Sequence, residues 1–149
     1  MTKLETIYNH FFSKITDDMY MELTKEDTYS MLTELFTSAL HWFEFPRVDI
    51  YNYEGEEYKI DLSNEEINII ATYMVVEWIG QQLASVELTR LKYSGSDFKF
   101  TSQANHLQKL TVLQQEYERK GFHLQRLYKR RKADDKGIMK STFGSIMGS

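Results

Sequence analysis

The sequence predicts a mainly α protein: a small helical bundle built on two long helices, with a short β-hairpin and an extended C-terminal arm. Three observations carry that class. Apolar residues recur at spacings of three and four over four separate stretches, the pattern of helices that bury one face. The chain holds one proline and seven glycines, three of the glycines in its last thirteen residues, so its body is nearly free of helix breakers. Residues 48–62 alone alternate apolar and polar side chains around a glycine, as a hairpin does. A length of 149 residues suits one domain, here residues 1–132, followed by a flexible arm over 133–149.

In chain order, Leu4, Ile7, Tyr8, Phe11, Phe12 and Ile15 gather on one side of a first helix over residues 3–15. Asp17 and Asp18 interrupt it. Thr24 reads as an N-cap with Glu26 and Asp27 in the first turn, where acids meet the positive end of the helix dipole. From there Leu32, Leu35, Phe36, Ala39, Leu40 and Phe43 sustain a second helix over residues 25–43, which Pro46 ends by forcing the preceding backbone out of the α region. The runs Val48-Asp49-Ile50-Tyr51-Asn52-Tyr53 and Tyr58-Lys59-Ile60-Asp61-Leu62 then flank Glu54-Gly55-Glu56-Glu57, a hairpin with an acidic tip.

Ser63 and Glu66 form a capping-box pattern ahead of a third helix over residues 64–91. Ile67, Ile70, Ala71, Met74, Val75, Trp78, Ile79, Leu83, Val86 and Leu91 make it apolar over a wide arc, which predicts the central helix. Ser94-Gly95-Ser96-Asp97 reads as a turn within a connection over residues 93–101. Ser102 caps a fourth helix, carried by Leu107, Leu110, Leu113, Tyr117, Leu124, Leu127 and Tyr128 to about Arg131, with Gly121 weakening it slightly. Beyond it, Ile138, Met139 and Phe143 are isolated apolar anchors in a polar, glycine-rich stretch that cannot bury enough surface to fold alone. Trp42, Phe43, Phe45 and Trp78 are expected in the core. A short hairpin cannot bury both faces, so Tyr51, Tyr53 and Tyr58 are candidates for a subunit interface.

Charge is distributed unevenly. The net charge is −4, yet residues 1–101 carry 18 acidic and 8 basic side chains, a net of −10, while residues 102–149 carry 4 acidic and 10 basic, a net of +6. The absence of cysteine excludes disulfide scaffolds, thiolate zinc sites and cysteine nucleophiles. The most apolar stretch, residues 67–79, is interrupted by Asn68, Thr72 and Glu77 and is too short to span a bilayer. The first fifteen residues lack a secretory pattern, so the expectation is a protein made and used in a cytosol, away from membranes. His10, His41, His106 and His123 show no ligand spacing, the acidic turns match no calcium loop, and the glycines form no phosphate cradle. No catalytic, cofactor or metal site is assigned.

The most informative segment is Arg126-Leu127-Tyr128-Lys129-Arg130-Arg131-Lys132, with five cations and one aromatic ring in seven residues. Cations at a helix C-terminus complement its dipole, so a solvated helix end is the plain reading. The functional readings are phosphate contacts to nucleic acid or docking on an acidic protein surface. The neighbouring anchors Ile138, Met139 and Phe143 favour docking, since spaced apolar residues in an arm suit a partner more than DNA. A subunit with an acidic body and a basic end also attracts its own neighbour head to tail, and such contacts close into rings.

The third and fourth helices, with Leu91-Lys92-Tyr93 closing one, Asp97-Phe98-Lys99-Phe100 between them, Ser102-Gln103-Ala104-Asn105-His106-Leu107 opening the next and Leu127-Tyr128 leading out to Lys132, carry a resemblance. Over residues 63–132 the chain resembles the head-to-tail connector (adaptor) proteins of tailed bacteriophages of Gram-positive hosts. The resemblance implies a structural virion protein of the neck, made in the host cytoplasm and without enzymatic activity. It implies a homo-oligomeric ring, commonly twelvefold, that binds the portal protein, lengthens the DNA channel and receives a downstream neck or tail protein. In that family the C-terminal arm commonly reaches onto the portal or a neighbouring subunit, which fits residues 132–149, and together with the basic segment this assigns Arg126, Lys129, Arg130, Arg131, Lys132, Ile138, Met139 and Phe143 to portal or neighbour docking. DNA would pass without sequence-specific binding, along a negatively charged wall that repels its phosphates. A tail-completion or stopper protein of the same neck and a small helical DNA-binding regulator are the alternatives.

Overall fold

The computed structural model describes residues 1–15, 25–92, 97–133 and 139–141. Four helices are present among them: α1 (Leu4–Lys14), α2 (Lys25–Leu40), α3 (Asn64–Lys92) and α4 (Asp97–Arg130). A hairpin of β1 (Tyr53–Glu54) and β2 (Glu57–Tyr58) stands between α2 and α3. The architecture is a small helical bundle, as the apolar periodicity predicts.

α3 is the centre. Ile69, Ile70, Ala71, Thr72, Tyr73, Met74, Val75 and Val76 are consecutive and all buried, which only a helix covered on every side allows. α1, α2 and α4 supply that cover. Its N-terminus carries the capping box: Ser63 N–H donates to Glu66 Oε1 at 2.7 Å and Glu66 N–H donates to Ser63 Oγ at 3.2 Å, satisfying two end donors that would otherwise lack partners. The rings of Phe11 and Trp78 meet edge to face at 6.3 Å, joining α1 to α3.

The hairpin turns at Gly55, whose φ of +62° lies in the left-handed region that suits glycine. Its register places Tyr53 opposite Tyr58 and Glu54 opposite Glu57. The chain's first residues extend it. Thr2 N–H donates to Ile60 O at 3.1 Å, Tyr58 N–H to Thr2 O at 2.7 Å, and Leu4 N–H to Glu56 O at 2.9 Å. A two-stranded ribbon is marginal in water, and this third segment with the rings beneath it gives the hairpin a fixed seat.

Several boundaries differ from expectation. α2 stops at Leu40, and the next residues tighten into i→i+3 bonds, His41 N–H to Ser38 O at 3.2 Å and Trp42 N–H to Ala39 O at 3.1 Å, so the helix ends six residues before Pro46 rather than beside it. α4 begins at Asp97, ahead of Ser102, because Phe98-Lys99-Phe100-Thr101 has no residue that forbids helix. The arm is not wholly without structure: β3 (Arg131–Ala133) pairs antiparallel with β4 (Met139–Ser141), Lys132 opposite Lys140. Two short strands satisfy each other's main-chain groups without needing an apolar core.

Candidate functional site

The cationic end of α4 is held by a polar network, centred on buried Tyr128 and Glu66, that reaches back to the start of α3 and to the loop after α2. Tyr128, 2% exposed, donates from its hydroxyl to Glu66 Oε2 at 2.8 Å, and Glu66 is itself 4% exposed at the first turn of α3. The same hydroxyl accepts the Arg47 N–H at 2.8 Å. The Arg47 guanidinium lies over the Tyr128 ring, 4.2 Å from its centre, and donates to the Tyr128 carbonyl, one of the acceptors a helix C-terminus leaves open. Burial, with the Glu66 carboxyl beside it, pushes the Tyr128 phenol far above its usual range against the opposing pull of the Arg47 N–H, so Tyr128 stays a donor.

One turn earlier Gln125 fastens the exit from α2. Its Nε2 donates to Trp42 O at 2.9 Å and to Tyr73 Oη at 2.8 Å, and its Oε1 accepts from Glu44 N–H at 2.9 Å. Trp42 stacks flat on Tyr73, ring centres 5.2 Å apart and 10° from parallel, and its Nε1 donates to Glu77 Oε1 at 2.7 Å. Gly121 makes this approach possible. A Cβ there would lie 2.6 Å from Cζ of Tyr73, so the position tolerates no side chain without displacing a ring that is only 2% exposed.

Outward from this base stands a ledge of rings and cations. Phe45 is 59% exposed with the Lys129 ammonium over it at 4.3 Å, and Phe122 is 54% exposed with the Arg126 guanidinium over it at 5.6 Å. Phe122, Arg126 and Lys129 follow at i, i+4 and i+7 on one face of α4, with exposed Arg130 beside them. A cleft of about 440 Å³ opens beneath, bordered by Trp42, Glu44, Glu118, Arg119, Phe122 and Arg126.

A second, acidic surface surrounds the hairpin tip. Glu5, Glu54, Glu56 and Glu57 are exposed around a cleft of about 550 Å³ that also takes in Lys3, Tyr8 and Tyr29. Glu56 accepts from the Tyr29 hydroxyl, and that bond raises the phenol's pKa. Glu54 pairs with Lys59 at 3.2 Å.

The structure sorts the expected site residues. Arg126, Lys129 and Arg130 come together on the ledge. Arg131, Lys132 and Met139 enter the strands β3 and β4, while Ile138 and Phe143 lie outside the described residues, as do Asp17 and Asp18. Tyr51 is 55% exposed. Tyr58 corrects the expectation of an interface tyrosine: it is fully buried, its hydroxyl donating to Ile50 O at 2.6 Å and its ring meeting those of Phe36 and Tyr53. Tyr53 is half-buried, edge-on to Phe36 at 5.2 Å. The hairpin buries one face because α2 covers it, which alternation alone does not reveal. Trp42 and Phe45 correct the expectation in the other sense: they follow α2 rather than lie on its buried stripe, and they are 38% and 59% exposed.

Sequence reading missed Arg47, Gln125 and Gly121. For Gly121 a signal was present, a glycine inside an otherwise strong helix pattern, which marks close packing. Among the described residues no group of three or more His, Asp or Glu is placed to hold a metal ion, and no helix is long and apolar enough to cross a membrane. The chain matches no family model, no curated protein and no solved structure.

Proposed function

We propose that this chain is a structural subunit of a bacteriophage neck, a head–tail connector that assembles as a ring beneath the portal, lengthens the DNA channel and attaches the tail. The observation that supports it most is the ledge at the end of α4: rings and cations turned outward on a rigid base, with its cations and Phe122 inside residues 63–132, the stretch that resembles connector proteins, and Phe45 added from the loop after α2. A surface of that composition suits a protein partner, because exposed aromatics and arginine carry much of the energy of protein interfaces. The acidic body suits a conduit: carboxylates on a channel wall repel phosphates and let DNA slide. The chain's roles are then shape and docking, with no bond made or broken.

The test is reconstitution. The chain is mixed with the portal protein encoded in the same genome and viewed by negative-stain microscopy; rings of this chain on the portal's tail-side face are expected. Duplex DNA should show negligible affinity at moderate salt. Tight duplex binding that falls steeply with salt, and no rings, would replace this reading with the DNA-binding regulator.

A further inference from the structure

Two exposed surfaces of this chain have complementary chemistry and share no residue. The hairpin tip offers three carboxylates, Glu54, Glu56 and Glu57, beside Tyr29, which is 49% exposed. The ledge on α4 offers Arg126, Lys129 and Arg130 with the rings of Phe45 and Phe122. Glu54 and Glu56 each have one internal partner, Lys59 and Tyr29, and each carboxylate retains lone pairs for a cation. The cleft beneath the ledge sets Glu44 and Glu118 against Arg119 and Arg126, so its cations are partly offset from within, whereas Lys129 and Arg130 lie outside its lining and face a docking carboxylate without that competition.

We propose that the acidic hairpin tip of one copy docks on the Phe45–Phe122 ledge of a second copy, with Glu54, Glu56 and Glu57 facing Arg126, Lys129 and Arg130. This contact rests on the assembly reading above and gives it a partner and a register. A second copy fits better than DNA, because a duplex would engage the cations and leave both phenylalanine rings wet, whereas the acidic surface brings the ring of Tyr29, from α2 beside the hairpin tip, as well as charge. The contact is heterologous. Each copy uses its tip on one neighbour and its ledge on the other, so copies add in one direction and close into a ring when the rotation between neighbours divides a full turn.

The chain has no cysteine, which makes a site-directed cross-link clean. A Glu56→Cys copy is mixed with a Lys129→Cys copy, oxidised mildly, and the disulfide-linked dimer is measured on a non-reducing gel. The comparator pairs Glu56→Cys with Thr111→Cys, an exposed position far along α4. All three positions are exposed, and circular dichroism checks that each variant folds. At least tenfold more dimer is expected for the tip–ledge pair, falling toward the comparator in high salt as the ion pairs are screened. Equal yields for the two pairs overturn the contact. Equal yields with rings still forming on the portal overturn this contact and leave the connector reading in place; a strong cross-link without portal rings supports the contact and removes the connector reading.

Discussion

α3 and α4 are the two longest elements, 29 and 34 residues, and they pack along each other, yet their surfaces are used in opposite ways. α3 is buried through its middle on every side and carries Trp78, Met74 and Ile70 into the core. α4 buries Leu110, Gly121 and Tyr128 and leaves Val112, Phe122, Arg126 and Lys129 outside. Stability is thus concentrated in α3 and surface chemistry in α4, with Tyr128, Gly121 and Gln125 as the points where the two are coupled. Substitutions along the two helices should separate along the same line.

The largest effect is expected in α3. Trp78→Ala removes a ring that is 2% exposed and should cost about 3 to 5 kcal/mol in urea unfolding. A cost under about 1 kcal/mol would mean that α3 is not the core. At the junction, Tyr128→Phe keeps the ring but strips Glu66 and the Arg47 N–H of their shared hydroxyl, for a loss of about 1 to 3 kcal/mol. Gly121→Ala gains about 1 kcal/mol of helix propensity but drives a methyl into Tyr73. A net loss of about 1 to 2 kcal/mol is expected, and a stabilised variant would show that the Tyr73 ring yields easily.

Alkaline titration sharpens the contrast. Burial raises the Tyr58 and Tyr128 phenols well above their usual value of 10.0. A folded-state pKa above the unfolded one gives stability that is complete below pH 10 and is lost as pH rises from there toward the folded value. Each of these two phenols should remove about 1.4 kcal/mol per pH unit in that window. Spectrophotometric titration should show these two phenols ionising only as the fold opens. The smallest effect belongs to the outer face of α4: Arg126→Gln with Lys129→Gln should change stability by about 1 kcal/mol or less while sharply weakening self-association in sedimentation.

The amount of this legible beforehand follows from the physics of each feature. α3 and its capping box could be read because both are local, a spacing and a pair of residues three apart. The hairpin could be placed, but not its buried face, since Tyr58 is covered by Phe36 from α2, a contact that no local alternation encodes. The cations of α4 stood out in the sequence; their base did not, because Arg47 and Tyr128 are 81 residues apart. Phe45 illustrates the limit most clearly. By composition it belongs to a core, and only the end of α2 at Leu40 shows that it lies on a loop, exposed, with Lys129 over its ring.

The proposed role of the α4 end as an assembly surface of a ring-forming neck subunit can be tested at the portal itself. Negative-stain microscopy of the chain mixed with its genome's portal protein, with Arg126→Gln/Lys129→Gln in parallel, tests it most directly. Closed rings of the native chain on the tail-side face of the portal and bare portals with the variant are expected. Bare portals with both proteins, or equal rings with both, would contradict it.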